Sequence, residues 1–151
     1  MLKTVIADSS CFIILSNIGE LTLLSKVFGQ VVTTIEVSEE FGEPLPDWVE
    51  IKASSDKYRK QILEMQVDKG EASAIALALE IDGCTLIVDD YKARKIAVSL
   101  GIEITGTLGV IIKAKLNGTI PSIKPYLEKI KRTDFRMSEE LLLQALRESG
   151  E

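Results

Sequence analysis

The chain has 151 residues, 46% of them hydrophobic and 27% charged, with a net charge of −5. That balance excludes disordered and fibrous classes, and the length suits a single domain, residues 1–151, that buries roughly 70% of its unfolded surface. There is no histidine, which excludes Ser-His-Asp and Cys-His catalysis, His-ligated zinc or iron, and histidine as a general base.

In chain order, Lys3 to Ala7 (KTVIA) reads as a β-branched strand that meets Asp8, Ser9 and Ser10. The serines are placed to cap the apolar helix CFIILSNI that follows. Asp8 also stands where a signal peptide would need its apolar core, and no segment approaches about 18 unbroken apolar residues, so a cytoplasmic protein without a membrane span is expected. Gly19 ends the first helix, Glu20 to Val27 reads as a second short one, Gln30 to Thr33 as a strand, and Ile35 to Phe41 as a helix. The Pro-punctuated EPLPDW is too short to divide domains. Trp48 to Ala53 reads as an edge strand and Asp56 to Gln66 as an amphipathic helix. Glu71 to Ile81, EASAIALALEI, is apolar almost all round, the pattern of a buried helix.

Thr85 to Val88 is a buried strand that stops at Asp89 and Asp90 and turns at once into a helix carrying Lys92, Arg94 and Lys95. Ile102 to Ile104 is a further core strand, GTLGVIIKAKLNG a helix stopped at Gly118, Pro121 to Arg132 a basic helix, and Ser138 the cap of a last one, EELLLQALRE. Short β-rich strings alternating with longer helices argue for a parallel sheet with helices on both faces. Cys11 and Cys84 lie in apolar strings without the second cysteine that a zinc or redox motif requires, so reduced core cysteines are expected.

The acids carry the chemistry. In an open parallel sheet ligands bind at the carboxyl ends of the strands, and a strand that runs into an acid and then a helix occurs twice, at Asp8 and at Asp90. In TIEVSEEF, Val37 and Phe41 mark the inward face; at about 100° per residue Glu39 points nearly opposite, and Glu40 lies about 80° from that face, within inward reach. Glu71 stands at the mouth of the buried helix, where it can serve a site or complete a capping box with Asp68. Four carboxylates with no histidine, cysteine or phosphate-loop lysine among them suit a hard cation, Mg²⁺ or Mn²⁺. Such a cation can lower the pKa of a bound water and position it for in-line attack on a phosphodiester without a histidine base. Charge is also segregated: Lys113 to Arg136 holds seven basic residues against two acids, a local +5 that leaves the rest at −10. Such a strip suits phosphates or is an ordinary solvated helix face.

IADSS at the first strand end, V-x-x-E as Val37 to Glu40, GEASAIALA from Gly70, LIVDDYKAR from Leu86 and GTLGVIIKAK from Gly106 together resemble the PIN domain. The nearest likeness is a small prokaryotic branch with GE-x-x-AI-x-LA, DD and GTLG signatures, and the match runs in order over nearly the whole chain. The resemblance implies a three-layer α/β/α sandwich around a mainly parallel four- to five-stranded sheet. It implies Mg²⁺- or Mn²⁺-dependent cleavage of RNA, frequent homodimers and, in many relatives, the toxin half of a toxin-antitoxin module with a cognate antitoxin protein. Carried over by position, the catalytic and metal-binding acids are Asp8, Glu40, Glu71 and Asp90, with Asp89 an outer ligand or a cap and Ser10 supporting the first acid by hydrogen bonding. The third position departs from the pattern, since many relatives have Asp within the central helix where this chain offers Glu at its start. Lys92, Arg94 and Lys95, with Lys113, Lys115, Lys129, Lys131 and Arg132 of the basic strip, are the candidates for the RNA backbone. The alternative is a PIN-like module that binds RNA or a partner protein and cleaves nothing, which fits the same acid spacing. Other α/β phosphate enzymes fail on single residues: a haloacid-type phosphatase needs a second Asp where Ser10 stands, and dinucleotide binding needs G-x-G-x-x-G after the first strand.

Overall fold

The structure, a computed structural model, describes residues 3–151. Its elements are β1 (Thr4–Ala7), α1 (Ser9–Asn17), α2 (Leu23–Val27), β2 (Gln30–Thr33), α3 (Ile35–Phe41), β3 (Val49–Ile51), α4 (Lys57–Glu64), α5 (Lys69–Ala78), β4 (Thr85–Ile87), α6 (Tyr91–Ser99), β5 (Glu103–Thr105), α7 (Thr107–Leu116), α8 (Lys124–Lys131) and α9 (Glu139–Glu148). The strands form one sheet in the order β3-β2-β1-β4-β5, and every pairing is parallel. Parallel neighbours need crossovers, and each crossover here contains at least one helix, as the alternating sequence requires.

Strand side chains alternate between two cores. Val5, Ala7, Val31 and Ile87 face one side, where α1, α2, α7 and α8 cover them, while Ile6, Val32, Leu86 and Val88 face the other, under α5 and α6. Both faces are therefore apolar, which is why the strands read as unbroken hydrophobic runs. The result is the expected three-layer α/β/α sandwich with five strands. The segment Ala72 to Ala78 is buried throughout, as its all-round apolar pattern demands. Val49–Ile51 is an edge strand inside the expected Trp48 to Ala53, and the second helix is shorter than expected because Glu20 to Thr22 make a turn first.

One local reading is corrected. Ser9 and Ser10 do not cap α1; Asp8 occupies the N-cap position, its side chain makes no capping bond, and both serines lie in the first helical turn. Their hydroxyls are thereby free to reach other elements. No helix among the described residues is long and apolar enough to cross a membrane.

The sheet order fixes where a site can form. From β1 the chain moves outward to β2 and β3, then returns to the other side of β1 for β4 and β5. The crevice between the carboxyl ends of β1 and β4 is the switch point, where crossovers diverge and leave a gap for a ligand. The Asp8 amide still donates to the Ile87 carbonyl at 3.1 Å, so the two strand ends are held together there.

Candidate functional site

Asp8 leaves β1 at that switch point and is 3% exposed. Its Oδ1 is buried and, among the described residues, has no hydrogen-bond partner. A charged oxygen in that position lacks both water and a donor, a costly state unless a positive charge balances it. Burial pushes its pKa up to about 7; the Ser9 amide opposes the shift, and the carboxylates of Glu71, Asp68 and Glu40 add to it. Glu71 is likewise raised to about 7, by burial first, then by Asp68 and Asp90, with Glu40 adding and the Asp68 amide opposing. Asp8, Glu40, Asp68, Glu71 and Asp90 thus share one electrostatic neighbourhood, supplied by β1, α3, the α5 amino end and the β4–α6 junction. No basic side chain is among the main groups acting on Asp8 or Glu71.

Each remaining acid is set by a local device. Glu40 reaches inward from α3, as its helical phase predicts, and accepts a hydrogen bond from the Ser9 hydroxyl. Its carboxylate lies against the backbone of Gly70, where an added Cβ would come within 2.9 Å of Glu40 Oε2 and 3.5 Å of Asp68 Oδ1. A side chain there would push the Glu40 carboxylate aside. Glu71 completes the capping box: its amide donates to Asp68 Oδ1 at 2.8 Å, and its Oε1 accepts from the Asp68 amide at 3.3 Å. Both readings of Glu71 therefore apply at once, a cap that is also a member of the acid group.

The adjacent acids after β4 are held by different partners. Asp90, exposed, is the N-cap of α6, its Oδ2 accepting from the Ala93 amide at 3.0 Å. Asp89 is half-buried and accepts three bonds, from Ser10 Oγ at 3.0 Å, the Thr107 amide at 2.9 Å and Thr107 Oγ1 at 2.6 Å. It caps α7, whose own N-cap, Gly106, has no side chain to do so. A Cβ on Gly106 would lie 2.8 Å from Asp89 Oδ1 and 3.0 Å from Arg94 Nη1, which explains the first glycine of GTLG. Ser10 is corrected accordingly: its hydroxyl supports Asp89, and Asp8 receives no side-chain bond from it.

Basic residues are sorted by the fold. Arg94 turns inward and donates from Nη1 to the Val88 carbonyl at 2.9 Å, at the end of β4, while Lys92 and Lys95 are exposed on the same helix. Lys113 lies 5.1 Å over the Phe28 ring, just before β2 begins, at the opposite end of the sheet from the acids. Lys115 donates to the Ser149 carbonyl at 2.9 Å, Lys129 pairs with Glu20 at 3.3 Å beyond the end of α1, and Lys131 pairs with Glu128 at 3.2 Å. Arg132 is the C-cap of α8. Lys113, Lys115 and Lys129 are therefore not brought together with the carboxylates. Asp68, Ser9 and Thr107 do join the site, and sequence singles out none of them for it: Asp68 reads as a cap, and the partners of the two hydroxyls are far away in sequence.

All donors around Asp8 are oxygen, and its unpartnered Oδ1 is an open ligand position, so the residues present fit a hard cation in kind. Among the described residues, no three of the acids already enclose a cation-sized space. Binding would have to draw the longer Glu40 and Glu71 side chains inward.

The chain belongs to the PIN-domain family: the family model described as a PIN domain matches residues 4–151. PIN domains are generally nucleases and typically use divalent metal ions. No curated protein matches the chain.

Proposed function

We propose that this protein is a Mg²⁺- or Mn²⁺-dependent endoribonuclease that hydrolyses RNA phosphodiester bonds, and that it serves as the toxin component of a toxin-antitoxin module. The observation that carries the nuclease reading is Asp8, a buried carboxylate with a free oxygen at the switch point, ringed by further acids and by no balancing base. A structural role gives no return for that burial, whereas a cation there would restore the ionised form.

Asp8, Glu40, Glu71 and Asp90 would hold the ion, with Asp89 behind them. When bound, an ion of this class lowers the pKa of a coordinated water and neutralises charge on a reacting phosphate. The chain's own residues do the rest. Asp8 would offer Oδ1 to the ion and, without one, holds a proton near neutral pH. Ser9 orients Glu40, and Ser10 with Thr107 fixes Asp89 and so the strand end that carries Asp90. Lys92 and Arg94, at the amino end of α6, stand where phosphates of a bound strand would be neutralised.

The test is cleavage of structured and single-stranded RNAs with Mn²⁺ or EDTA, beside calorimetric Mn²⁺ titration. Metal-dependent cleavage that Asp8→Asn abolishes, together with loss of Mn²⁺ binding, supports the reading; cleavage in EDTA, or cleavage that survives the substitution, overturns it. The toxin role predicts growth arrest on induced expression of the wild type and none with Asp8→Asn. A second copy of the chain and an antitoxin protein are the partners of this reading; exposed Tyr91, Val98 and Leu100 on and after α6, beside edge strand β5, offer an apolar surface for pairing. Sedimentation at micromolar concentration checks the dimer. The second reading, a module that binds without cleaving, draws support from Glu71 and Asp90 both being engaged as helix caps.

A further inference from the structure

α9 packs Ala145 against the core, while Leu141 and Gln144 remain exposed. Between this helix and the amino end of α7 runs a groove of about 530 Å³ whose lining starts at Asp89 and Arg94 and includes Phe135 and Arg136. A second concavity of about 500 Å³ shares Phe135 and Arg136 and continues to Lys131 and Thr133. The two form one track leading away from the acid end of the sheet, each part within the size range of small-ligand clefts, about 300–1,000 Å³.

The charges along the track differ in their availability. Arg136 makes no ion pair or side-chain hydrogen bond among the described residues, unlike Lys115, Lys129 and Lys131 of the same basic strip. Arg94 commits one N–H to the Val88 carbonyl, and a guanidinium carries five. Carboxylates also line the track at Asp89, Glu148 and Asp134. Asp89 is already satisfied by its three donors, so its charge is partly balanced in place. Phe135 sits at the junction of the two concavities, half-buried.

Guanidiniums and an aromatic ring lining one groove are the parts of a single-strand binding surface, in which phosphates meet charge and a splayed base stacks. A duplex is recognised by shape and by contacts across its wide minor groove, whereas unstacked single-stranded bases are taken up one at a time by aromatic rings. We propose that the Asp89-to-Lys131 track is a single-stranded RNA subsite: Arg94 and Arg136 take successive phosphates of the strand beyond the acid cluster, and Phe135 stacks a base. The proposal rests on the ribonuclease reading for its occupant, and it moves the substrate path from the lysine-bearing end of α7 to the α9 side.

The experiment measures fluorescence anisotropy of a labelled unstructured 12-nucleotide RNA and of a hairpin RNA, in EDTA, with wild type, Arg136→Glu, Arg136→Gln and Lys113→Glu. Thermal melting confirms that each variant is folded. Arg136→Glu is expected to weaken single-strand binding at least tenfold, Arg136→Gln about threefold to fivefold with a shallower salt dependence, and Lys113→Glu less than twofold. Equal losses for Arg136→Glu and Lys113→Glu, equal affinity for hairpin and single strand, or no RNA binding by the wild type overturns the track. Cleavage that is metal-dependent and indifferent to Arg136 leaves the nuclease reading standing without the track, and the groove then falls to a protein partner. Arg136-dependent binding with no cleavage under any metal leaves the track standing without the nuclease.

Discussion

The β1–α1 and β4–α6 junctions have the same local grammar, a buried strand, an acid and a helix, and reach opposite physical solutions. At β4 both acids are satisfied: Asp90 caps its helix, and Asp89 ties α1 and α7 to the strand end through three hydrogen bonds. At β1 the acid stands in the cap position yet caps nothing, and one of its oxygens is buried without a partner. A carboxylate that stabilises its surroundings and one that burdens them are indistinguishable as letters. The difference identifies Asp8 as the residue whose burial needs something the chain does not contain.

The largest expected effect follows from breaking Asp8. Asp8→Asn should reduce RNA cleavage at least a hundredfold while making the metal-free protein more stable at pH 8. With a folded pKa of about 7 against an unfolded value near 3.9, the folded state holds the extra proton between these limits. Stability from this group is therefore fully present below about pH 4 and lost as pH rises through 7, to a total of about 2–4 kcal/mol. Glu71, also raised to about 7, acts in the same direction. Denaturant melts in EDTA from pH 5 to pH 8 should show wild-type stability falling steeply and the Asn variant falling less, by the share that Glu71 retains. Mn²⁺ should restore the wild type at pH 8 and leave the variant unchanged; parallel pH profiles would remove the contrast between the junctions.

Asp89 should respond with the opposite sign. Asp89→Ala leaves the Thr107 amide and two hydroxyls without their acceptor, and should cost about 2–4 kcal/mol, measured by the same melts. Gly106→Ala probes that anchor from the other side. Its Cβ would meet Asp89 Oδ1 at 2.8 Å and Arg94 Nη1 at 3.0 Å, so a cost of about 1–3 kcal/mol is expected, with Asp89 displaced.

What sequence could reveal divides along the same line. The alternation of strands and helices, the buried Ala72 to Ala78 helix and the inward phase of Glu40 follow from periodicity, which is local, and the structure has them where they were expected. The ordered GE, DD and GTLG strings located the acid end of the sheet. The roles of Ser9, Ser10 and Thr107 did not follow, because each is defined by a partner 18 to 79 residues away in sequence. The charge strip does not form one surface, for a related reason. Lys113 and Arg136 are close in composition and lie at different ends of the molecule, since α7 starts beside Asp89 and runs toward the amino ends of the strands.

The smallest effect is the sharpest for the adjacent pair. Asp90 is an N-cap whose charge is also felt by Glu71, so two functions share one side chain. Asparagine caps as well as aspartate, whereas alanine does not cap. Asp90→Ala should therefore lower stability by about 1 kcal/mol, while Asp90→Asn should leave it within about 0.5 kcal/mol of wild type. If Asp90 is a metal ligand, Asp90→Asn should nevertheless weaken Mn²⁺ binding in a calorimetric titration by tenfold or more, with the fold intact. Undiminished Mn²⁺ affinity in that variant would confine Asp90 to capping and pass the fourth ligand position to Asp68, whose charge already acts on both Asp8 and Glu71.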